Sequence, residues 1–163
     1  MNSLLIRPVV REDIKYVADI ENLCFPKAEG ASLKSFYERF DAFPESFFVA
    51  EIDNKIVGYI NGCITDKPSL PDELYHDASL HNPSGDYQTV FGLAVAPDYQ
   101  HEGIAGKLMN YLINISRDRG KKGIILTCKE HLIHFYEGFG YVHKGIADST
   151  HGNAVWNNML LEF

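Results

Sequence analysis

Apolar residues along this 163-residue chain recur at two spacings, and the switches between them mark out the predicted elements. Leu4 to Val9 reads as a short opening strand that ends around Pro8. From Arg11 to Phe25, Ile14, Val17, Ala18, Ile20, Leu23 and Cys24 form a helical stripe, with Asp13 in the first turn. Pro26 and Gly30 break that stripe, which makes residues 24–32 a loop between helices. Ser32 is placed to cap a second helix through Phe40, with Phe36, Tyr37 and Phe40 as its apolar face, and Pro44 closes it.

The spacing then shortens. Ser46–Ile52 and Lys55–Ile64 are strand-like runs joined by Asp53-Asn54, a two-residue hairpin signal that lacks the usual glycine. Between Thr65 and Tyr87 the chain turns polar around Pro68, Pro71, Pro83 and Gly85, which predicts a long surface excursion with at most a short helix. Gln88–Ala96 is read as a third long strand. Gly103–Arg119 is read as a helix with Ile104, Leu108, Tyr111, Leu112 and Ile115 on one face. Gly123–Cys128 is apolar on both sides, as a central parallel strand would be. A short helix over Glu130–Phe139 and a final strand pair, Tyr141–Ile146 and Val155–Glu162, complete the chain. The order predicts a mixed α/β (α+β) sheet flanked by helices. No repeat, low-complexity stretch or linker divides it, so residues 1–163 are expected to form a single domain.

Composition narrows the function classes. The hydrophobic fraction of 45% and charged fraction of 23% are ordinary for a soluble globular protein. A formal charge of −7 argues against nucleic-acid binding, which needs a basic face, and is compatible with a cationic small molecule. Cys24, Cys63 and Cys128 are odd in number and form no CxxC pair, which predicts reduced thiols rather than disulfides or zinc. The N-terminus has no signal-peptide pattern and no run is long enough to span a bilayer, so the expectation is a cytoplasmic protein, monomeric or homodimeric, without a membrane partner. His76, His81, His131 and His134 have no metal-ligand spacing, and no metal is expected.

The stretch Val90–Tyr111 carries the candidate chemistry. An apolar run passes through Pro97, crosses Gln100-His101-Glu102-Gly103-Ile104-Ala105-Gly106-Lys107 and enters a helix. Exposed amides and the positive end of the helix dipole would point at one spot, which suits an anion. The segment is neither GxGxxG nor GxxxxGK[ST]. On residues alone it is either a phosphate cradle or an ordinary glycine-bearing turn into a helix.

The pattern Gln100-x-x-Gly103-x-Ala105 resembles the Q/R-x-x-G-x-G/A signature of the GNAT N-acetyltransferase superfamily, placed after a strand and opening a helix as in that family. His134-Phe135-Tyr136-Glu137-Gly138-Phe139-Gly140-Tyr141 resembles its F-Y-x-x-x-G-F/Y segment. Within the superfamily, Phe25-Pro26-Lys27-Ala28-Glu29 resembles the F-P-x-x-E loop of the arylalkylamine (serotonin) N-acetyltransferase group. Thr89 and Phe91 stand where the animal enzymes carry a histidine pair. The resemblance implies a mostly antiparallel sheet splayed at its centre between Gln88–Ala96 and Gly123–Cys128. It implies acetyl-coenzyme A as acyl donor, its arm paired to the backbone of Leu93, Ala94 and Val95 and its pyrophosphate on residues 100–107. It also implies that Tyr136 donates a proton to the departing thiolate, although the phenol could equally be packing beside Phe135 and Phe139. Phe25, Pro26, Glu29, Thr89 and Phe91 would then contact a small amine. Glu29 is either the base that drains the amine's proton or a solvated loop carboxylate. A protein or peptide N-acetyltransferase and a non-catalytic acyl-coenzyme A-binding module share the same motifs.

Overall fold

A computed structural model describes residues 3–148 and 151–163. Packing divides the chain into two compact units, Met1–Gly62 with Gly92–Leu112, and Cys63–Phe91 with Ile113–Phe163.

The first unit is built on a four-stranded antiparallel sheet formed by β1 (Leu4–Pro8), β2 (Phe47–Ile52), β3 (Lys55–Asn61) and β6 (Gly92–Val95), in the order β1-β2-β3-β6. Asp53 and Asn54, at φ 51° and 65°, make the β2–β3 turn, a left-handed pair that short polar side chains tolerate without glycine. One face of the sheet packs on α1 (Ile14–Cys24) and α2 (Leu33–Ala42) through Ile14, Val17, Phe36, Phe47 and Tyr59. Ser32 caps α2 by accepting the Ser35 amide. Arg7 forks onto the buried Asp13 at 2.7 and 3.1 Å, fixing the approach to α1. The opposite face meets the first half of α4 (Ile104–Asp118), where Phe48 stacks edge-on against Tyr111 at 4.9 Å. The stripe predicted for α1 needs one correction. Leu23 is 67% exposed, and its place inside is taken by Glu21, one turn on from Val17.

The second unit carries a five-stranded sheet made of β4 (Ile64–Thr65), β5 (Tyr87–Val90), β7 (Gly123–Cys128), β8 (Val142–Ile146) and β9 (Asn157–Glu162), in the order β4-β5-β7-β9-β8. β7 is central and runs parallel to β5, the one parallel pair among the described strands. The polar excursion holds α3 (Asp72–His76), tied down by Tyr75 Oη against Thr127 Oγ1 at 3.0 Å. Lys121 Nζ donates to the carbonyls of Pro83 and Gly85 at 2.9 and 2.7 Å. A short α5 (Ile133–Glu137) follows β7.

The strand expected to run unbroken from Gln88 to Ala96 is instead two strands, interrupted at Phe91. β5 belongs to the second sheet and β6 to the first, because their ladder partners differ. Val90 pairs with Leu126, whereas Gly92 pairs with Asn61. Gly92 is required where it stands: a Cβ there would lie 2.4 Å from the Tyr59 hydroxyl.

Candidate functional site

In the first unit the site is assembled from β6, the turn after it and the start of α4. β6 is the last strand of its sheet, so half of the N–H and C=O groups of Leu93, Ala94 and Val95 face away from β3. Pro97–Tyr99 forms one 3-10 turn, and the chain then swings through His101 at φ 65° and Gly103 at φ 82°. A Cβ on Gly103 would meet nothing within 4 Å, so glycine is there for its backbone conformation and leaves open space in front of it. Helix α4 begins at Ile104, and the first intrahelical amide to find its acceptor is that of Lys107, on the Gly103 carbonyl at 3.1 Å. The amides of the preceding turn have no acceptor inside the helix and carry its positive end. Glu102, Gly103 and Lys107 are exposed, Ala105 and Gly106 half-buried, and Ile104 anchors the turn in the core.

Gln100 does not aim its amide at that space. Its Nε2 donates to the Val95 carbonyl at 2.9 Å, and Cys24 Sγ donates to the same oxygen at 3.2 Å. Gln100 therefore locks the turn to the end of β6. Burial and the nearby Glu21 push the Cys24 thiol up, so it stays a neutral donor. Phe25 and Glu29 are half-buried on the loop after α1, and Pro26 is exposed with its carbonyl accepting the amides of Glu29 and Gly30 at 2.9 and 3.0 Å.

The second unit places Tyr136 on α5, 8% exposed, with its ring edge-on to Phe135 and Tyr141. Burial, helped by Cys128 and Tyr75, raises its phenol well above the ordinary tyrosine value, so it is a proton-bearing donor throughout the physiological range. Burial also pushes the Cys128 thiol up to about 11, which removes the thiolate an acyl carrier would need. Thr89 is fully buried, and its hydroxyl donates to the Cys63 carbonyl at 2.9 Å. Phe91 is half-buried with its ring 4.7 Å from that of Tyr75. A separate cavity of about 530 Å³ lies in this unit over Leu70, Ile125 and Leu160, with Asp72, Lys144 and Asn158 also lining it; none of the site residues expected from the sequence borders it.

The model of the acetyltransferase (GNAT) family matches residues 14–141. The chain belongs to that family. The uncharacterized N-acetyltransferase YkwB of Bacillus subtilis (strain 168) is 27% identical over 128 residues, covering 72% of this chain and 57% of that protein. The serotonin N-acetyltransferase of Mesocricetus auratus is 28% identical over 105 residues, covering 64% of this chain and 49% of the other. The chain thus spans about half the length of these two relatives. Among solved structures, the loading GNATL domain of CurA from Lyngbya majuscula superposes with a TM-score of 0.85 at 16% identity, over 99% of this chain and 98% of that one. The GNAT fold, a mixed α/β arrangement of antiparallel and mixed sheets flanked by helices, is therefore established.

Three residues of the GNAT chain escape the motif reading: Glu21, Tyr59 and Asn61. Glu21 and Tyr59 are hydrogen-bonded to each other in the interior, and Asn61 is fully buried two residues further along the same face of β3. The available signal was a polar residue ending an otherwise apolar strand, Ile56 to Asn61. Among the described residues no group of three or more His, Cys, Asp or Glu could hold a metal, and no helix is long and apolar enough to cross a membrane.

Proposed function

We propose that this GNAT chain is an acetyl-coenzyme A-dependent N-acetyltransferase that acts by direct transfer onto a small amine, of which arylalkylamines are one class. The observation that carries it is the free edge of β6 running into the open, glycine-bearing start of α4. Both halves fit the donor. Backbone groups of Leu93 and Ala94 and the amide of Val95, whose carbonyl is already held by Gln100 and Cys24, suit the amides of a pantetheine arm, as in strand addition. The first-turn amides of α4, at residues 103–106, suit its pyrophosphate, with the side chains of His101, Glu102 and Lys107 at the rim.

Bound there, acetyl-coenzyme A supplies the activated acetyl thioester. Tyr136 donates a hydrogen bond to the sulfur as charge develops there, and burial keeps the phenol protonated at neutral pH so that this proton is present. Glu29 takes the proton from an acceptor that is otherwise an ammonium, since a primary alkylamine has a pKa of about 10.4 in water. Phe25, Pro26, Thr89 and Phe91 shape the acceptor end. Holding amine and thioester in line is the main source of rate, worth ~7–11 kcal/mol where orientation is good. A 28% identity to a serotonin N-acetyltransferase and the Phe25–Glu29 loop favour a small amine over a peptide. Competition among aromatic amines, polyamines and peptides for one pool of acetyl-coenzyme A tests the acceptor. Preference for a small amine supports the reading, and preference for a peptide overturns it.

A further inference from the structure

Asn61 is 0% exposed, and neither its Oδ1 nor its Nδ2 has a hydrogen-bond partner. Folded proteins rarely leave a whole carboxamide in that state, because each unpaired atom forfeits the water it had in the unfolded chain. Two residues back on the same face, the Tyr59 hydroxyl donates to Glu21, whose other oxygen accepts the Ala31 amide at 2.8 Å. Across the ladder Asn61 faces Gly92, the half-buried residue at which β6 begins. The unpaired amide thus stands one strand away from the backbone proposed to hold the donor. It lies on the sheet face that packs on α1 and α2, the helices joined by the Phe25–Glu29 loop.

We propose that the Asn61 carboxamide is a binding group for the acceptor amine and helps set which amines are accepted, an inference that rests on the acetyltransferase reading above. Oδ1 accepts an N–H of the amine, which orients the nitrogen without using the lone pair that attacks. Nδ2 donates to a second polar atom of the acceptor, which favours amines carrying a hydroxyl, ether or carbonyl oxygen over plain alkylamines.

The test compares the whole protein with Asn61→Leu, which keeps the branched shape at a larger volume and removes both unpaired atoms, and with Asn61→Ala. Thermal midpoint, acetyl-coenzyme A affinity and kcat/KM for the best amine of a panel are measured for each. The expected result for Asn61→Leu is an unchanged or higher midpoint and unchanged acetyl-coenzyme A affinity. Its kcat/KM falls ~10- to 100-fold, and its preference for oxygen-bearing amines is lost. If Leu proves too bulky to fold, Asn61→Ala is expected to show the same fall in kcat/KM and the same loss of preference. Full turnover with unchanged preference in a folded variant overturns the proposal. So does unfolding of both variants, which would mean the fold itself holds the amide. A wild-type protein that acetylates no amine sinks the acetyltransferase reading and takes this inference with it, whereas an active wild type with unaffected variants sinks this inference alone.

Discussion

The Tyr59 hydroxyl donates to the carboxylate of Glu21, 38 residues earlier in the chain and inside the core of the first unit. Through its second oxygen Glu21 accepts the Ala31 amide, so this pair couples the middle of β3 to the end of the loop between α1 and α2. A hydrogen bond to a charged group contributes about 1.5–3 kcal/mol. Tyr59→Phe is therefore expected to lower unfolding free energy by about that amount in urea, without altering acetyl-coenzyme A affinity. An unchanged midpoint would show that the bond carries no stability.

The same hydroxyl occupies the space that a side chain at position 92 would need. Gly92→Ala would bring a Cβ to 2.4 Å from Oη and 3.0 Å from Cε2 of Tyr59, and overpacking of this kind costs about 1–3 kcal/mol. Removing the hydroxyl relieves the shortest of these contacts. Gly92→Ala is therefore expected to cost less in the Tyr59→Phe background than alone, a coupling that a double-mutant cycle in denaturant reads directly. Strict additivity would show that the two sites do not compete for space.

Tyr136 is the residue on which the proposed chemistry depends most. Tyr136→Phe keeps the ring among Phe135 and Tyr141 and deletes only the proton donor. The expectation is a kcat lower by about 100-fold or more, with acetyl-coenzyme A affinity and thermal midpoint nearly unchanged. Wild-type turnover in this variant would reduce Tyr136 to packing.

Cys128 supplies a pH prediction. Its thiol is raised from 9.0 to about 11 by burial, so the folded state keeps a proton that the unfolded state releases earlier. The resulting stability is fully present below about pH 9 and is lost as pH rises through about 11. Wild-type stability is expected to fall across that window more steeply than that of Cys128→Ala. Cys128→Ala is expected to retain turnover, since the transfer is direct and no thiol carries the acetyl group. A variant that folds but makes no acetylated amine would restore a covalent route.

Local signals in the sequence carried well. The Asp53-Asn54 turn, the Ser32 cap and the entry into α4 each depend on neighbours within a few residues, and each is found where the pattern puts it. The break at Phe91 was hidden because apolar residues continue through Val90-Phe91-Gly92-Leu93. What ends β5 and starts β6 is a change of ladder partner, from Leu126 to Asn61, and that is a property of distant strands. Glu21 is hidden for a related reason. A charged residue within a helix reads as solvated, and only the arrival of Tyr59 and the Ala31 amide makes an inward carboxylate stable. Gln100 was legible as part of the motif, but the direction of its side chain, back onto Val95, was not.

The central claim is direct acetyl transfer to a small amine, and thiol release tests it most directly. Purified protein is mixed with acetyl-coenzyme A and each member of an amine panel, and free coenzyme A is followed alongside acetylated product. The account predicts amine-dependent thiol release matched one-to-one by acetylated small amine and abolished or strongly slowed in Tyr136→Phe. Binding of acetyl-coenzyme A with no thiol release for any amine would contradict it.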